Sequence, residues 1–252
     1  SHGKVLPLFI LDDGNAGDYT MGSASRLWLH HSLKSLNNSL GGNLSVYHGN
    51  PIYILDEILT RFDINAIYWN RCYEPWRIDR DKKIKDHLKK SINVESCNGS
   101  LLWEPWTIKK DDGTHYKVFS PFYRKGCLQA ERPRNFIPSP SNVKYLRDND
   151  GSVNLNQLKL LPILCWNKKL EPNWSIGEIG AHTRFQQFIK EGLSQYKDGR
   201  NLPAKPYVSR LSPYLHFGEI SPNQLWHTVK SISDDKHIDH FCSELGWREF
   251  SY

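Results

Sequence analysis

Short apolar runs alternate with helical patterns over the first hundred residues. "VLPLFIL" (5–11) reads as a buried strand. "SASRLWLHHSLKSLNNSL" (23–40) follows, with Leu27, Leu29, His30, Leu33 and Leu36 near helical spacing and Ser23 as a candidate cap. "LSVYHG" (44–49) predicts a strand, and "PIYILDEILTRF" (51–62) a helix with Pro51 in its first turn. "INAIYWN" (64–70) is a third strand, "DRDKKIKDHLKKS" (79–91) a charged surface helix, and "INVESC" (92–97) a fourth strand. This alternation predicts a mostly parallel, Rossmann-like α/β sheet with helices on both faces. No GxGxxG occurs, so the usual dinucleotide fingerprint is absent.

The pattern then changes twice. "ERPRNFIPSPSNVKYLRDNDGSVNLNQ" is rich in Pro, Asn, Ser and Asp with little periodicity, and the stretch 131–174 is expected to be a long connection between domains. From 175 the chain turns helical. Ser175 is a candidate cap, and Phe185, Phe188, Ile189, Leu193 and Tyr196 form an apolar stripe. "SPNQLWHTVKSI" (221–232) carries a Ser cap and Pro at the first helical position. "DDKHIDHFCSELGWREFSY" (234–252) places Ile238, Phe241, Cys242 and Leu245 on one face. The expected organisation is an α/β domain over 1–130, the connection over 131–174, and the beginning of an all-helical domain over 175–252.

Composition narrows the classes. The 252 residues suffice for one large or two ordinary domains, and no apolar run approaches the roughly 18 residues that a membrane-spanning helix needs. Five scattered cysteines without CxxC pairing point to reduced thiols and a cytoplasmic protein, and away from zinc sites and disulfides. The net charge of +6, with a pI near 9.0, allows an anionic partner such as nucleic acid. Nine tryptophans and 12% aromatic residues provide either a stacking surface or a large aromatic core. The chain opens directly on a strand and stops inside a helical pattern, so it is expected to be a piece of a longer protein.

Two stretches could carry chemistry. On the last helix Phe241, Glu244 and Arg248 share a stripe, and Trp247 adjoins Glu244. They could wall a polar, aromatic pocket, or form a Glu–Arg surface pair beside a core Trp. In "VSRLSPYLHFGEISP" (208–222), Ser209 and Ser212 beside backbone amides could cradle a phosphate or serve as turn hydroxyls. His216 and Glu219 alone are a weak acid–base pair. No Ser-His-Asp or Cys-His set stands out, and His30–His31 lacks the spacing of a zinc helix.

"SRLSPYLHFGEISP" together with "WREF" closely resembles the flavin-binding region of the DNA photolyase/cryptochrome family. "PLFILD", "ASRLWLHHSL", "YHGNP", "IYWNRCYEPW", "NGSLLWEPW" and "YKVFSPFYRKGC" agree in order, so the resemblance covers nearly the whole chain. It implies an antenna domain of parallel α/β type, a long linker, and the first part of a helical FAD-binding domain. It also implies light-driven repair of cyclobutane pyrimidine dimers by electron transfer from excited reduced FAD, the activity of a deoxyribodipyrimidine photo-lyase. The alternatives it leaves are a blue-light photoreceptor of cryptochrome type, signalling through partners, and a photolyase for (6-4) photoproducts. The implied partner is UV-damaged DNA, met by a monomer with no membrane association.

The resemblance assigns residues one by one. Tyr196 matches the tyrosine that closes over FAD. Val208, Ser209, Arg210, Leu211 and Ser212 match the diphosphate loop, with Val208 departing from the usual hydroxyl. Phe241 stands where many members have a tryptophan beside the flavin, and Arg248 matches an arginine on the cofactor. Arg200 matches an arginine near the DNA backbone. Glu244 and Trp247 match the catalytic carboxylate and indole that receive the flipped dimer, and photolyases are among the enzymes that extrude their target from the stack. A second, antenna chromophore is also implied: folate, deazaflavin or flavin. Trp76 and Arg77 replace the Asn–Glu pair that folate-binding members often carry after "YE". By itself, without the family's remaining segments, the chain is expected to be colourless and inactive.

Overall fold

The computed structural model describes residues 3–202 and 204–252, which divide into two compact units. The first comprises residues 1–97 and 139–178, the second 98–138 and 179–252.

Four short strands and three helices build the first unit: β1 (Leu8–Leu11), α1 (Ser23–Ser39), β2 (Ser45–His48), α2 (Pro51–Arg61), β3 (Ala66–Asn70), α3 (Pro75–Leu88) and β4 (Asn93–Cys97). β1 pairs in parallel with β2, Leu8 opposite Ser45, and β3 pairs in parallel with β4, Ala66 opposite Asn93. β1 is shorter than the apolar run predicts. Pro7 has no N–H for the ladder, and Val5 makes only an isolated bridge to Tyr145. α1 is capped by Gly22 rather than Ser23, and α3 begins at Pro75, four residues before the charged run. Proline at the first helical position starts both α2 and α3, since its missing N–H would have no helical partner there. Tyr47, Leu55, Ile58, Ile84, Leu88 and Val94 form a core between these elements.

Residues 139–178, of which 139–174 are expected as linker, are stitched into this unit. Asp148 is 2% exposed and accepts from the Tyr47 hydroxyl at 2.6 Å, while Arg61 reaches the same carboxylate at 2.6 Å. Val153 N–H donates to the Val46 carbonyl at 2.8 Å, and Leu158 and Leu160 are buried. Burial pushes the Asp148 carboxyl up, but the Tyr47 hydroxyl, the Gly151 N–H and Arg61 hold it below the usual aspartate range. A low-periodicity segment can thus be firmly placed, because isolated polar groups and not an apolar stripe fix it. At its end, Gly177 at φ +111 ends the extended run, and the next helix starts at Glu178 instead of Ser175.

The second unit contains α4 (Phe119–Pro121), which runs into a π-helical turn over Phe122–Cys127, then α5 (Glu178–Glu191), α6 (Tyr196–Gly199), α7 (Ser212–His216), α8 (Pro222–Ile232) and α9 (Lys236–Phe250). α8 has a full capping box: Ser221 accepts from the Gln224 N–H, and Gln224 accepts from the Ser221 N–H. Residues 98–138, expected in the α/β domain and the linker, instead group here. Glu249 accepts from the N–H groups of Leu102 and Trp103 at 2.8 and 3.2 Å, and Asn223 donates to the Arg134 carbonyl at 2.8 Å. Trp103 and Trp226 are buried edge to face at 5.3 Å. Three of the nine tryptophans, Trp28, Trp103 and Trp226, are buried in the core, while Trp106, Trp166 and Trp247 are exposed. Among the described residues no helix is long and apolar enough to cross a membrane, and no group of three His, Cys, Asp or Glu side chains could hold a metal.

Candidate functional site

α9 is the element that collects the polar candidates. Asp235 caps it, accepting from the His237 and Ile238 N–H groups at 2.7 and 3.1 Å. Ile238, Phe241, Cys242 and Leu245 are buried, as the spacing predicts, and this leaves His240, Glu244 and Trp247 along the opposite edge. The indole of Trp247 is 45% exposed, and the Glu244 side chain is 27% exposed one turn away.

The indole does not stand alone. It stacks on Phe119, ring centroids 3.8 Å apart and planes 13° from parallel, and Phe119 stacks in turn on Tyr123 at 5.5 Å. Tyr123 is buried against α9 at Gly246, where a Cβ would come within 2.5 Å of its ring. The glycine lets the tyrosine sit flush on the helix. One face of Trp247 is thus backed by a fixed aromatic ladder.

Glu244 pairs with Arg200, at the C-cap of α6, and not with Arg248 one turn along its own helix. His240 joins them, its Nε2 3.1 Å from the guanidinium and 3.7 Å from the carboxylate. Arg248 is committed elsewhere: it donates to the Ser100 carbonyl at 2.8 Å and pairs with Glu249 at 3.0 Å. The Glu–Arg surface pair suggested by the spacing of 244 and 248 is therefore absent. Burial pushes the Glu249 carboxyl up to about 7, against the opposing pull of Arg248 and of the Trp103 and Leu102 N–H groups.

The candidate cofactor residues fall into two groups. Arg210 has φ +55 and Leu211 has φ −94, ψ −6; this left-then-right alternation turns successive N–H groups to one side and forms a concavity suited to an anion. Arg184 fixes the loop by donating to the Ser209 and Val208 carbonyls at 3.0 and 3.2 Å. Burial and the charge of nearby Arg210 hold Arg184 below the usual arginine range, so positive potential gathers here. Leu211 is 1% exposed and can contribute only its backbone, whereas Ser212 is exposed. This segment fits a diphosphate.

Tyr196 and Phe241 lie in the second group, at 8% and 3% exposure. Phe241 packs between Phe188 at 5.2 Å and Tyr196 at 5.3 Å, while the Arg200 guanidinium lies 5.7 Å above the Tyr196 ring. Phe241 thus packs against protein aromatics, while the Arg248 side chain, engaged by Ser100 and Glu249, stays 20% exposed. His216 packs edge-on against Phe217 and Glu219 is buried, in keeping with a scaffold role. In the first unit, Arg77 and Arg80 lie over the Trp76 ring at 5.1 and 5.3 Å, so a cation–π cluster takes the position of the amide–carboxylate pair.

His240 was readable from its i, i+4 spacing to Glu244. Phe119 and Arg184 were not, because partners so remote along the chain leave no local pattern.

The family model for DNA photolyase matches residues 1–141. A deoxyribodipyrimidine photo-lyase of Agrobacterium fabrum is 36% identical over 99% of this chain and 53% of its own length. Cryptochrome-2 of Arabidopsis thaliana is 29% identical over 99% of this chain and 44% of its own length. The crystal structure of a class III photolyase from Agrobacterium tumefaciens superposes with a TM-score of 0.91 at 34% identity, covering 99% of this chain and 52% of that one. The chain spans about half the length of the curated relatives it matches. Parallel strand pairs, the helical unit and these likenesses agree: the chain belongs to the DNA photolyase family.

Proposed function

We propose that the protein repairs cyclobutane pyrimidine dimers in DNA by light-driven electron transfer, with FAD as its cofactor. The observation that carries this reading is the pairing, one turn apart on α9, of a half-exposed indole and a partly exposed carboxylate. An extruded dimer needs an apolar wall and a hydrogen-bonding group for its base edges. Trp247 offers the wall, worth on the order of 1–3 kcal/mol for a stacked base, and Glu244 the polar partner. Bound reduced FAD would supply the photoexcited electron, which returns after the ring splits, so the net reaction is redox-neutral. Val208–Ser212 would hold its diphosphate through backbone amides, and Arg200 would meet the DNA backbone. The net charge of +6 favours that encounter.

Cryptochrome-2 of Arabidopsis thaliana supports a second reading, a photoreceptor of the same fold. Light-dependent loss of thymine dimers from irradiated oligonucleotide, by the flavin-loaded, reduced full-length protein, separates the two. Intact dimers after illumination would remove the repair reading and leave the sensor. The same assay on a (6-4)-containing oligonucleotide decides the lesion, and the absorbance of extracted chromophore decides whether folate, deazaflavin or a second flavin serves as antenna.

A further inference from the structure

We propose that Arg184 is the positioning residue of the diphosphate loop: it turns the backbone around Val208–Leu211 so that the loop's amides meet the phosphates, and it does so from the carbonyl side. This deepens the reading above and rests only on its FAD part. A trans peptide is planar, and its C=O and N–H point in opposite directions. Arg184 Nη2 donates to the Val208 carbonyl at 3.2 Å and Nε to the Ser209 carbonyl at 3.0 Å, so one guanidinium sets the planes of two successive peptides. The N–H groups of Ser209 and Arg210 belong to those same peptides and are therefore turned away from Arg184. The concavity formed by the turn at Arg210 and Leu211 starts with the Arg210 N–H. Its first donor is thus aimed by a side chain of α5.

The turn needs such support. Arg210 has φ +55, in the left-handed region that favours glycine, and no glycine stands between Val208 and Ser212. Val208 brings no hydroxyl and Leu211 is buried, so at both positions only the backbone can serve a phosphate. Arg184 is itself held. Its Nη1 donates to the Gln187 side-chain oxygen at 3.1 Å, and Gln187 donates to Glu191 at 3.1 Å, so a row of polar side chains along α5 orients the guanidinium. Its three nitrogens thus have three different acceptors, two of them carbonyls of the loop. A lysine would keep the charge, but its ammonium lacks the rigid planar fork that sets two peptide planes at once.

The test uses the full-length protein, stripped of flavin and reloaded with FAD. Arg184→Met keeps the apolar stem and should weaken FAD binding by about 10- to 100-fold, the effect of losing charge-assisted hydrogen bonds. At saturating FAD, the phosphorus NMR resonances of this variant's cofactor should move toward those of free FAD, while the flavin absorption band keeps its wild-type shape. Arg184→Lys should stay about fivefold or more weaker than wild type. Gln187→Ala, at an exposed position, should shift both readouts in the same direction, with about a twofold loss of affinity. If neither Arg184 variant folds, Gln187→Ala decides alone, and wild-type values there would overturn the proposal. Wild-type affinity or wild-type phosphorus resonances in Arg184→Met would do the same, and so would full recovery by Arg184→Lys, which would leave charge alone at work. A flavin band that changes together with the phosphorus signals would give Arg184 a general structural role and also overturn the assignment. Wild-type protein that takes up no FAD would remove the cofactor reading itself. FAD-loaded protein that leaves dimers intact would remove the repair reading and leave the role of Arg184 standing.

Discussion

Trp247 lies flat on Phe119, 3.8 Å between centroids, with Tyr123 parallel beneath. The ring expected to receive a base is thus already half of a stack. Its plane is set by a side chain 128 positions earlier, which covers one of its faces.

Phe119→Leu should therefore weaken binding of a dimer-containing duplex by about 2- to 10-fold, the equivalent of about 0.5–1.5 kcal/mol for an aromatic pair. Undamaged duplex should bind as before, and Phe119→Tyr should restore the wild-type value. Equal losses on both duplexes would mean that Phe119 supports the fold and not the site.

Gly246→Ala should destabilise the protein by about 1–3 kcal/mol, because the new methyl meets the Tyr123 ring at 2.5 Å. Denaturant unfolding measures it. No change in midpoint would show that the ladder moves freely.

Glu249 gives the fold a dependence on pH. Its folded value, about 7, lies above the ordinary 4.5, so the folded state binds the extra proton between the two. That contribution is full below pH 4.5 and is lost as pH rises through 7. Glu249→Gln keeps an acceptor for the Leu102 and Trp103 N–H groups and should flatten stability between pH 5 and 8. Glu249→Ala orphans both donors and should cost about 2–4 kcal/mol. Urea midpoints across that range test both, and a Gln variant with the wild-type slope would place the titration elsewhere.

The thiols should divide sharply. Burial pushes Cys127 and Cys242 up to about 12, whereas Cys97 and Cys165 are exposed. Alkylation of the native protein at pH 8, read by peptide mass spectrometry, should modify Cys97 and Cys165 first and spare Cys127 and Cys242. Early labelling of Cys242 would contradict the packing of α9.

Local signals account for what the sequence made legible. Ser221 with Pro222, and the spacing of Ile238, Phe241, Cys242 and Leu245, are short-range features, and the structure realises both. The start of α3 was missed because charged residues masked Pro75, and α7 because five residues carry no period. The candidate site was legible as a set of residue types, but not as a set of partners. Glu244 chose Arg200 on another helix over Arg248 on its own, a choice that depends on how α6 packs against α9. The stretch 131–174 reads as a linker because hydrophobic period is the signal for packing, and Asp148 within it is fixed by hydrogen bonds instead.

The chain crosses between its two units three times, and this shapes how it can be made. Tyr47 waits for Asp148, 101 residues later, before its hydroxyl has a partner. During synthesis the α/β core must therefore persist without its last segment while residues 98–138, which belong to the other unit, emerge. Closing so long a loop is slow. A cut after residue 97 would yield a first unit without its Asp148 clasp, and no single cut yields either unit whole.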